Sequence, residues 1–296
     1  MNLHNQLSLR EDSNGARTDV NVDLGALSHQ GHVRENNEDS YLVLRFGRSL
    51  ENLITNLDDD LLERSYTVGG YGMLVADGMG GVAGGEIASR LALSKLVELV
   101  VDTSDWVLAL KQQSDVTTVL ERMADRFLQI DSAVRREADH DYTLQGMGTT
   151  LTVAAVLGSD LFIGHVGDSR AYLLRGSNLK QLTTDHTLAQ ALIDAGVADP
   201  DDPASRSMRH VLTAAVGSLG QEVDPQVQRF KLERGDQLLL CTDGLTETVE
   251  DSKIAHVLQD SASAQSACQA LVDLALAGGG NDNITVVVAK FPSSEL

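Results

Sequence analysis

Between Thr150 and Leu182 four short apolar runs follow one another with little chain between them. This spacing constrains the fold more than any other feature. The runs are Thr150–Leu157, Leu161–Val166, Ala171–Leu174 and Leu179–Leu182, and two of the breaks are Gly158-Ser159-Asp160 and Arg175-Gly176-Ser177-Asn178. Breaks of three or four residues rich in glycine, serine and asparagine close β-hairpins. A parallel pair needs a crossover of a dozen residues or more, which such breaks do not supply. The pattern therefore predicts antiparallel strands and argues against the alternative, a doubly wound parallel sheet.

The flanking chain adds helices and further strands. Val22–Leu27, Ser40–Phe46, Tyr71–Ala76, Val227–Leu232, Gln237–Cys241 and a run from Ile284 read as strands, with a loop at 29–39. One apolar stripe holds Ile87, Leu91, Ser94 and 97–101. A second, with Ser114 as its cap, repeats at Val116, Leu120, Met123, Phe127, Ile130 and Val134. Steps of three and four residues are the signature of amphipathic helices. Another helix is predicted from a cap at Thr184 or Asp185 to Ala195, ended by Gly196, and another over 262–277, ended by Gly278 to Gly280. Hairpin-linked strands with a few long helices make an α+β domain of packed antiparallel sheets with helices outside. Residues 1–21 are expected to be a flexible leader, 22–292 a single domain, and 47–70, with the acidic run Asp58-Asp59-Asp60, a surface loop.

The 296 residues carry 43 acidic and 23 basic side chains, a formal charge of −20, which argues against a nucleic-acid backbone as partner. Two cysteines in unlike contexts, Cys241 and Cys268, imply no disulfide framework. The first 20 residues lack the apolar stretch of a signal peptide, and no run reaches the roughly 20 apolar residues of a membrane helix. The expectation is a cytoplasmic protein without membrane attachment.

The chemistry is carried by four aspartates at the ends of apolar runs. They lie in Gly72-Met-Leu-Val-Ala-Asp77-Gly78, Phe162-Ile-Gly-His-Val-Gly-Asp168-Ser169, Leu238-Leu-Leu-Cys-Thr-Asp243-Gly244 and Asn281-Asp282-Asn283-Ile284. A lone Asp-Gly is an ordinary turn. Four carboxylates converging at the mouths of buried strands need a cation, because an unpaired buried ion costs several kcal/mol. Every candidate donor is oxygen, which favours Mg²⁺ or Mn²⁺ over zinc, and no twelve-residue calcium loop is present. In Arg34-Glu35-Asn36-Asn37-Glu38-Asp39 an arginine stands beside further carboxylates, a fork suited to a phosphate near metal.

Seven segments in order give the chain a resemblance to the metal-dependent protein serine/threonine phosphatases (PPM, type 2C), in their bacterial form. They are the segment 34–39, Val75-Ala-Asp-Gly-Met-Gly-Gly81 with Gly85-Glu86, Gly148-Thr-Thr150, Val166-Gly-Asp-Ser-Arg170, Thr184-Asp-His186, Cys241-Thr-Asp-Gly-Leu245 and Asn281-Asp-Asn-Ile-Thr285. The resemblance implies a central antiparallel β-sandwich flanked by helices on both sides, in four αββα layers, with the site in a cleft at one edge. It also implies hydrolysis of phosphoserine and phosphothreonine in proteins at a binuclear Mn²⁺ or Mg²⁺ centre. Asp77 would bridge two tightly bound ions, with the Gly78 carbonyl on one, and Asp243 and Asp282 would bind the other. Glu38 and Asp39 would act mainly through metal-coordinated water. Arg34 would hold the substrate phosphate, and Asp168 with Asp243 would bind a third, weaker ion. Residues 187–210 would form a flap beside the cleft.

Two departures leave the proton donor to the leaving group unassigned. Met79 and Val82 stand where relatives carry histidines. His186 reads as structural and His165 as core. The implied partners are phosphoproteins made by a serine/threonine kinase. Two alternatives share the fold: a catalytically silent binding module, and a phosphatase dedicated to one partner-switching regulator.

Overall fold

The computed structural model describes residues 22–51, 65–80, 84–102, 116–199, 202, 207–218 and 223–292. The expected leader, the acidic run 58–60, the Ser114 cap, Val82 and parts of the expected flap lie outside the described residues.

Twelve strands are described. Ten form two five-stranded antiparallel sheets and two short ones pair separately. They are β1 (Asp23–His29), β2 (Ser40–Glu51), β3 (Ser65–Ala76), β4 (Gly78–Met79), β5 (Gly148–Thr149), β6 (Leu151–Leu157), β7 (Asp160–Val166), β8 (Arg170–Arg175), β9 (Asn178–Gln181), β10 (Gln226–Lys231), β11 (Gln237–Cys241) and β12 (Ile284–Lys290). One sheet runs β1-β12-β11-β8-β9 and the other β10-β7-β6-β3-β2. The helices are α1 (Gly84–Asp102), α2 (Val116–His140), α3 (Leu188–Asp194), α4 (Asp243–Thr246), α5 (Asp251–Asp260) and α6 (Ala264–Ala277).

Three apolar layers hold the sandwich together. Met73 and Val75 of β3, Ile163 of β7, Leu238 and Leu240 of β11, and Val287 and Ala289 of β12 fill the space between the sheets. Their neighbours one position along point the other way, as the pleat demands. Leu74 and Ala76 meet Ala88 and Ala92 of α1 and Phe127 and Ile130 of α2. Val286 and Val288 meet Ala267, Cys268 and Leu271 of α6. Both faces of each sheet are thus covered, and the central strands read as nearly unbroken apolar runs for that reason. The four αββα layers follow from this packing.

Three sequence expectations are corrected. The 47–70 loop is narrower, because β2 and β3 pair from Ser40↔Ala76 to Glu51↔Ser65. Gly47, Gly69 and Gly70 have no side chains to display the two-residue period, so strand residues there look patternless. The helix after β9 is capped by Thr187, whose hydroxyl accepts from Gln190 N–H at 3.3 Å, so it starts later than predicted. The Thr184 N–H donates to Gln226 Oε1, and the Asp185 carboxylate receives Arg170. The helix predicted from 262 starts at Ala264, where Ser263 and Ser266 form a capping box. The stripe of α5, Ile254 and Leu258, is too short to announce a helix in sequence.

Candidate active site

The expected carboxylates gather at one end of the sandwich. Asp39 immediately precedes β2 and Asp77 follows β3, both on one sheet; Asp243 follows β11 and Asp282 precedes β12 on the other. Antiparallel pairing of β2 with β3, and of β11 with β12, brings each pair of strand ends to the same rim. Asp168 lies where the chain passes from β7 in one sheet to β8 in the other.

The backbone at Asp77 is fixed from β5 onward. Its N–H donates to Thr150 Oγ1 at 2.9 Å, and its carbonyl accepts from Thr150 N–H and Thr149 Oγ1, both at 2.9 Å. Thr150 Oγ1 lies 2.7 Å from Ser169 Oγ, next to Asp168. Gly78 is needed because a Cβ there would strike the Gly85 carbonyl and lie 2.7 Å from the Glu38 carbonyl. Gly244 is needed because a Cβ would strike the Asn283 carbonyl, so the turn after Asp243 seats against the segment bearing Asp282.

Two further residues tie the early loop to this rim. Asn283 accepts from Glu38 N–H at 2.8 Å and donates to the carbonyls of Gln30 and Asn36, each at 2.8 Å. Thr242 donates to Asp39 Oδ2 at 2.9 Å and accepts from Thr285 N–H at 3.0 Å. Thr149, Thr150, Thr242 and Asn283 gained no individual role from sequence. Their partners are far away in the chain, and the only signal was their place inside the resembling segments.

The electrostatics are those of carboxylates crowded together in a largely buried place. Burial first, then the charges of Asp39, Asp243, Asp168 and Asp282, push the Asp77 carboxyl well above the ordinary range. Burial, then Asp168 and Glu247, do the same to Asp243. Asp39 is pushed up to about 7 by burial, against hydrogen bonds from Thr285 and Thr242. Asp168 rises to about 6, through burial and then Asp185. Asp39 Oδ1 and Asp243 Oδ1 are buried without a hydrogen-bond partner. Oxygen donors orphaned in this way among mutually repelling carboxylates fit hard divalent cations.

Arg34 is at the same rim, but its Nη2 binds Asp282 Oδ2 at 2.6 Å. With Asp282 turned toward Arg34, the carboxylates of Asp77, Asp243 and Asp282 do not close to within 4.8 Å of one another. Glu38 is half-buried there, its carboxyl raised by burial and eased by Arg34.

The family-resembling segments around Arg170 and His186 are held by internal contacts. Arg170 grips Asp185 through Nε at 2.8 Å and Nη2 at 2.6 Å, and also reaches Tyr172 OH at 3.0 Å. His165 is fully buried, with Nδ1 2.8 Å from Thr152 Oγ1, and burial lowers it to about 3, so it is neutral core. His186 lies beside it, ring centroids 5.0 Å apart, and accepts from Gly167 N–H at 3.3 Å through Nδ1.

Known proteins resemble this chain over most of its length. The family model described as protein phosphatase 2C matches residues 47–277. The chain belongs to the protein phosphatase 2C family. Across 274 residues it is 36% identical to the serine/threonine protein phosphatase PstP of Mycobacterium tuberculosis, covering 93% of this chain and 46% of that protein. The chain thus spans about half the length of that curated relative. It is 31% identical over 271 residues to the protein phosphatase PhpP of Streptococcus pneumoniae, covering 91% of this chain and 97% of the relative. A crystal structure of the catalytic domain of the serine/threonine protein phosphatase PstP in complex with two manganese ions superposes with a TM-score of 0.70 at 34% identity, covering 92% of this chain and 98% of the other. Within the 2C family fold, the rim described above is where the two sheets present their carboxylates.

Proposed function

We propose that this chain hydrolyses phosphoserine and phosphothreonine in proteins at a centre of two divalent cations, Mn²⁺ or Mg²⁺. The observation that carries the reading is the set of raised, mutually opposed carboxylates at one rim, with Asp39 Oδ1 and Asp243 Oδ1 left unpaired. Asp77, the Gly78 carbonyl, Asp243 and Asp282 would hold the ions, with Glu38 and Asp39 behind them. When bound, two such ions lower the pKa of a water and neutralise charge on the phosphoryl oxygens.

The chain's own residues supply the rest. Thr149 and Thr150 hold the Asp77 backbone at three points, which fixes the direction of its carboxylate. Thr242 keeps Asp39 aimed across the gap between the sheets. Arg34, more than half exposed, presents a guanidinium fork that would exchange Asp282 for a substrate phosphate and orient it. Asp168 is expected to tune turnover from the Asp243 side. Cys241 is buried and its thiol is pushed up to about 12, so it offers no nucleophile.

The substrates would be phosphoproteins produced by a serine/threonine kinase, and the setting cytoplasmic. Among the described residues no helix is long and apolar enough to cross a membrane. Residues 187–210 are proposed as the flap that selects protein substrates, part of it being α3. The decisive experiment is hydrolysis of p-nitrophenyl phosphate and a phosphopeptide panel, with Mn²⁺ and with excess chelator. Turnover of phosphoserine and phosphothreonine peptides that stops in chelator and returns with Mn²⁺ supports the reading. Undiminished turnover in chelator refutes the two-ion centre, and no turnover under any condition leaves a silent binding module.

A further inference from the structure

We infer that Asp131 of α2 is a positioning residue for the hydrolysis proposed above, bracing the short ladder of strands that carries Asp77 and Gly78. Asp131 falls four residues after Phe127 and three before Val134, on the helix face that packs into the core. It is only 3% exposed, so a carboxylate stands where the helical spacing calls for an apolar side chain. A buried ion is retained only with partners that repay its lost hydration. Arg135, one turn on, is one partner, with Nε 2.8 Å from Asp131 Oδ2. The other lies 86 positions away, where the Gly217 N–H donates to Asp131 Oδ1 at 2.7 Å.

Gly217 is seated tightly against the helix. Its φ of +82° lies in the left-handed region, and a Cβ there would strike Val134 Cγ1. With Gly217 held, its neighbour Val216 exchanges both main-chain hydrogen bonds with Thr149, each at 2.9 Å. On its other edge Thr149 pairs with Gly78. The Thr149 hydroxyl also donates to the Asp77 carbonyl at 2.9 Å. Gly78, Thr149 and Val216 thus lie side by side in one antiparallel ladder, and its outer edge ends on Asp131.

A ladder this short cannot hold itself. Two paired strands are marginal in water even at hairpin length, and β4 and β5 have two residues each. Asp131 supplies an anchor from α2, a helix of 25 residues packed on the sheet. Removing the acceptor would strand a buried N–H and free Val216 to part from Thr149. The turn at Asp77 and Gly78 would then lose its outer support. Arg34 is held elsewhere, by Asp282, so the loss should fall on turnover and spare phosphate binding.

The inference rests on the phosphatase reading, and the test separates the two. Full-length Asp131→Ala, Asp131→Asn and Arg135→Ala are compared with wild type, with Mn²⁺ and well below each melting temperature. Asparagine keeps an oxygen for Gly217, and Arg135→Ala removes the ion pair but leaves the acceptor. We expect Asp131→Ala to lower kcat on phosphopeptides at least about tenfold, with KM changed less than about twofold. Asp131→Asn and Arg135→Ala should keep kcat within about threefold of wild type even where Tm falls. Amide exchange at Thr149 and Val216 should quicken at least about tenfold in Asp131→Ala, with residues 161–166 of β7 unchanged. Wild-type kcat in Asp131→Ala, or an equal loss in Arg135→Ala, would overturn the brace. Should Asp131→Ala fail to fold, Gly217→Ala takes its place, since it keeps the acceptor and pushes the segment off Val134. It should show the same fall in kcat and the same faster exchange, and wild-type values for both would overturn the brace. A wild type without turnover under any condition would refute the phosphatase reading. Exchange at Thr149 and Val216 would then decide the brace by itself, faster exchange supporting it and unchanged exchange overturning it.

Discussion

Arg34 and Asp282 neutralise each other across 248 positions of sequence, Nη2 to Oδ2 at 2.6 Å. Each is also the residue expected to meet a ligand, the arginine a phosphate and the aspartate a cation. An ion pair this exposed is worth about 0–1 kcal/mol, so a divalent cation and a phosphate can part it at little cost. Arg34→Ala should therefore raise KM for phosphopeptides several-fold and leave the number of tightly bound Mn²⁺ ions unchanged. Loss of bound Mn²⁺ in Arg34→Ala would show that the arginine supports the metal site.

Asp243→Asn removes one charge from a cluster whose members oppose one another's ionisation. In chelator the variant should melt at or above the wild-type temperature, with each kcal/mol of relieved repulsion moving Tm by roughly 2–4 °C. With Mn²⁺ the order should invert, because wild type gains the linkage free energy of the bound ions. Equal responses to Mn²⁺ in a thermal melt would remove Asp243 from the ligand set.

The same carboxylates set a pH dependence. Asp77, Asp243, Asp39 and Asp168 all have folded-state values raised above their unfolded ones. The folded protein then holds more protons than the unfolded chain between about pH 4 and the raised values, so the stability of the metal-free state falls as pH rises through that window. Cations bind the deprotonated form and cancel the loss. The Mn²⁺-induced rise in Tm should be larger at pH 8 than at pH 5.5. An equal rise at both would mean that these groups are already ionised without metal.

Thr150 is a positioning residue whose loss should be felt at Asp77. Its hydroxyl is buried, accepts the Asp77 N–H and meets Ser169 Oγ at 2.7 Å. Thr150→Val keeps the shape and strands that N–H, a cost of about 1–3 kcal/mol. We expect kcat to fall more than tenfold with KM little changed, and Thr150→Ser to recover most of the rate. A uniform loss in both variants that tracks the melting temperature would mark a purely structural role.

What could be read from the sequence divides along physical lines. Asp77, Asp243 and Asp282 stood out because each abuts an apolar strand that gives it no reason of its own to be charged. The antiparallel sandwich was legible because hairpin breaks are local. Asn283 reaching Glu38 and Thr242 reaching Asp39 were not, since those hydrogen bonds span 245 and 203 positions and leave no periodic trace. The Arg34–Asp282 pair escaped notice for the same reason.

The rim draws Asp39 and Asp77 from one sheet and Asp243 and Asp282 from the other. Bound cations would consequently act as a rivet through both halves of the sandwich as well as a reagent. Emptied of them, the two sheets repel at that end while their apolar interface still grips between Met73, Val75, Leu238 and Leu240. Loosening should start at the rim and travel inward, so that slow amide exchange at the last residues of β3 and β11 becomes a direct reporter of whether the catalyst is loaded.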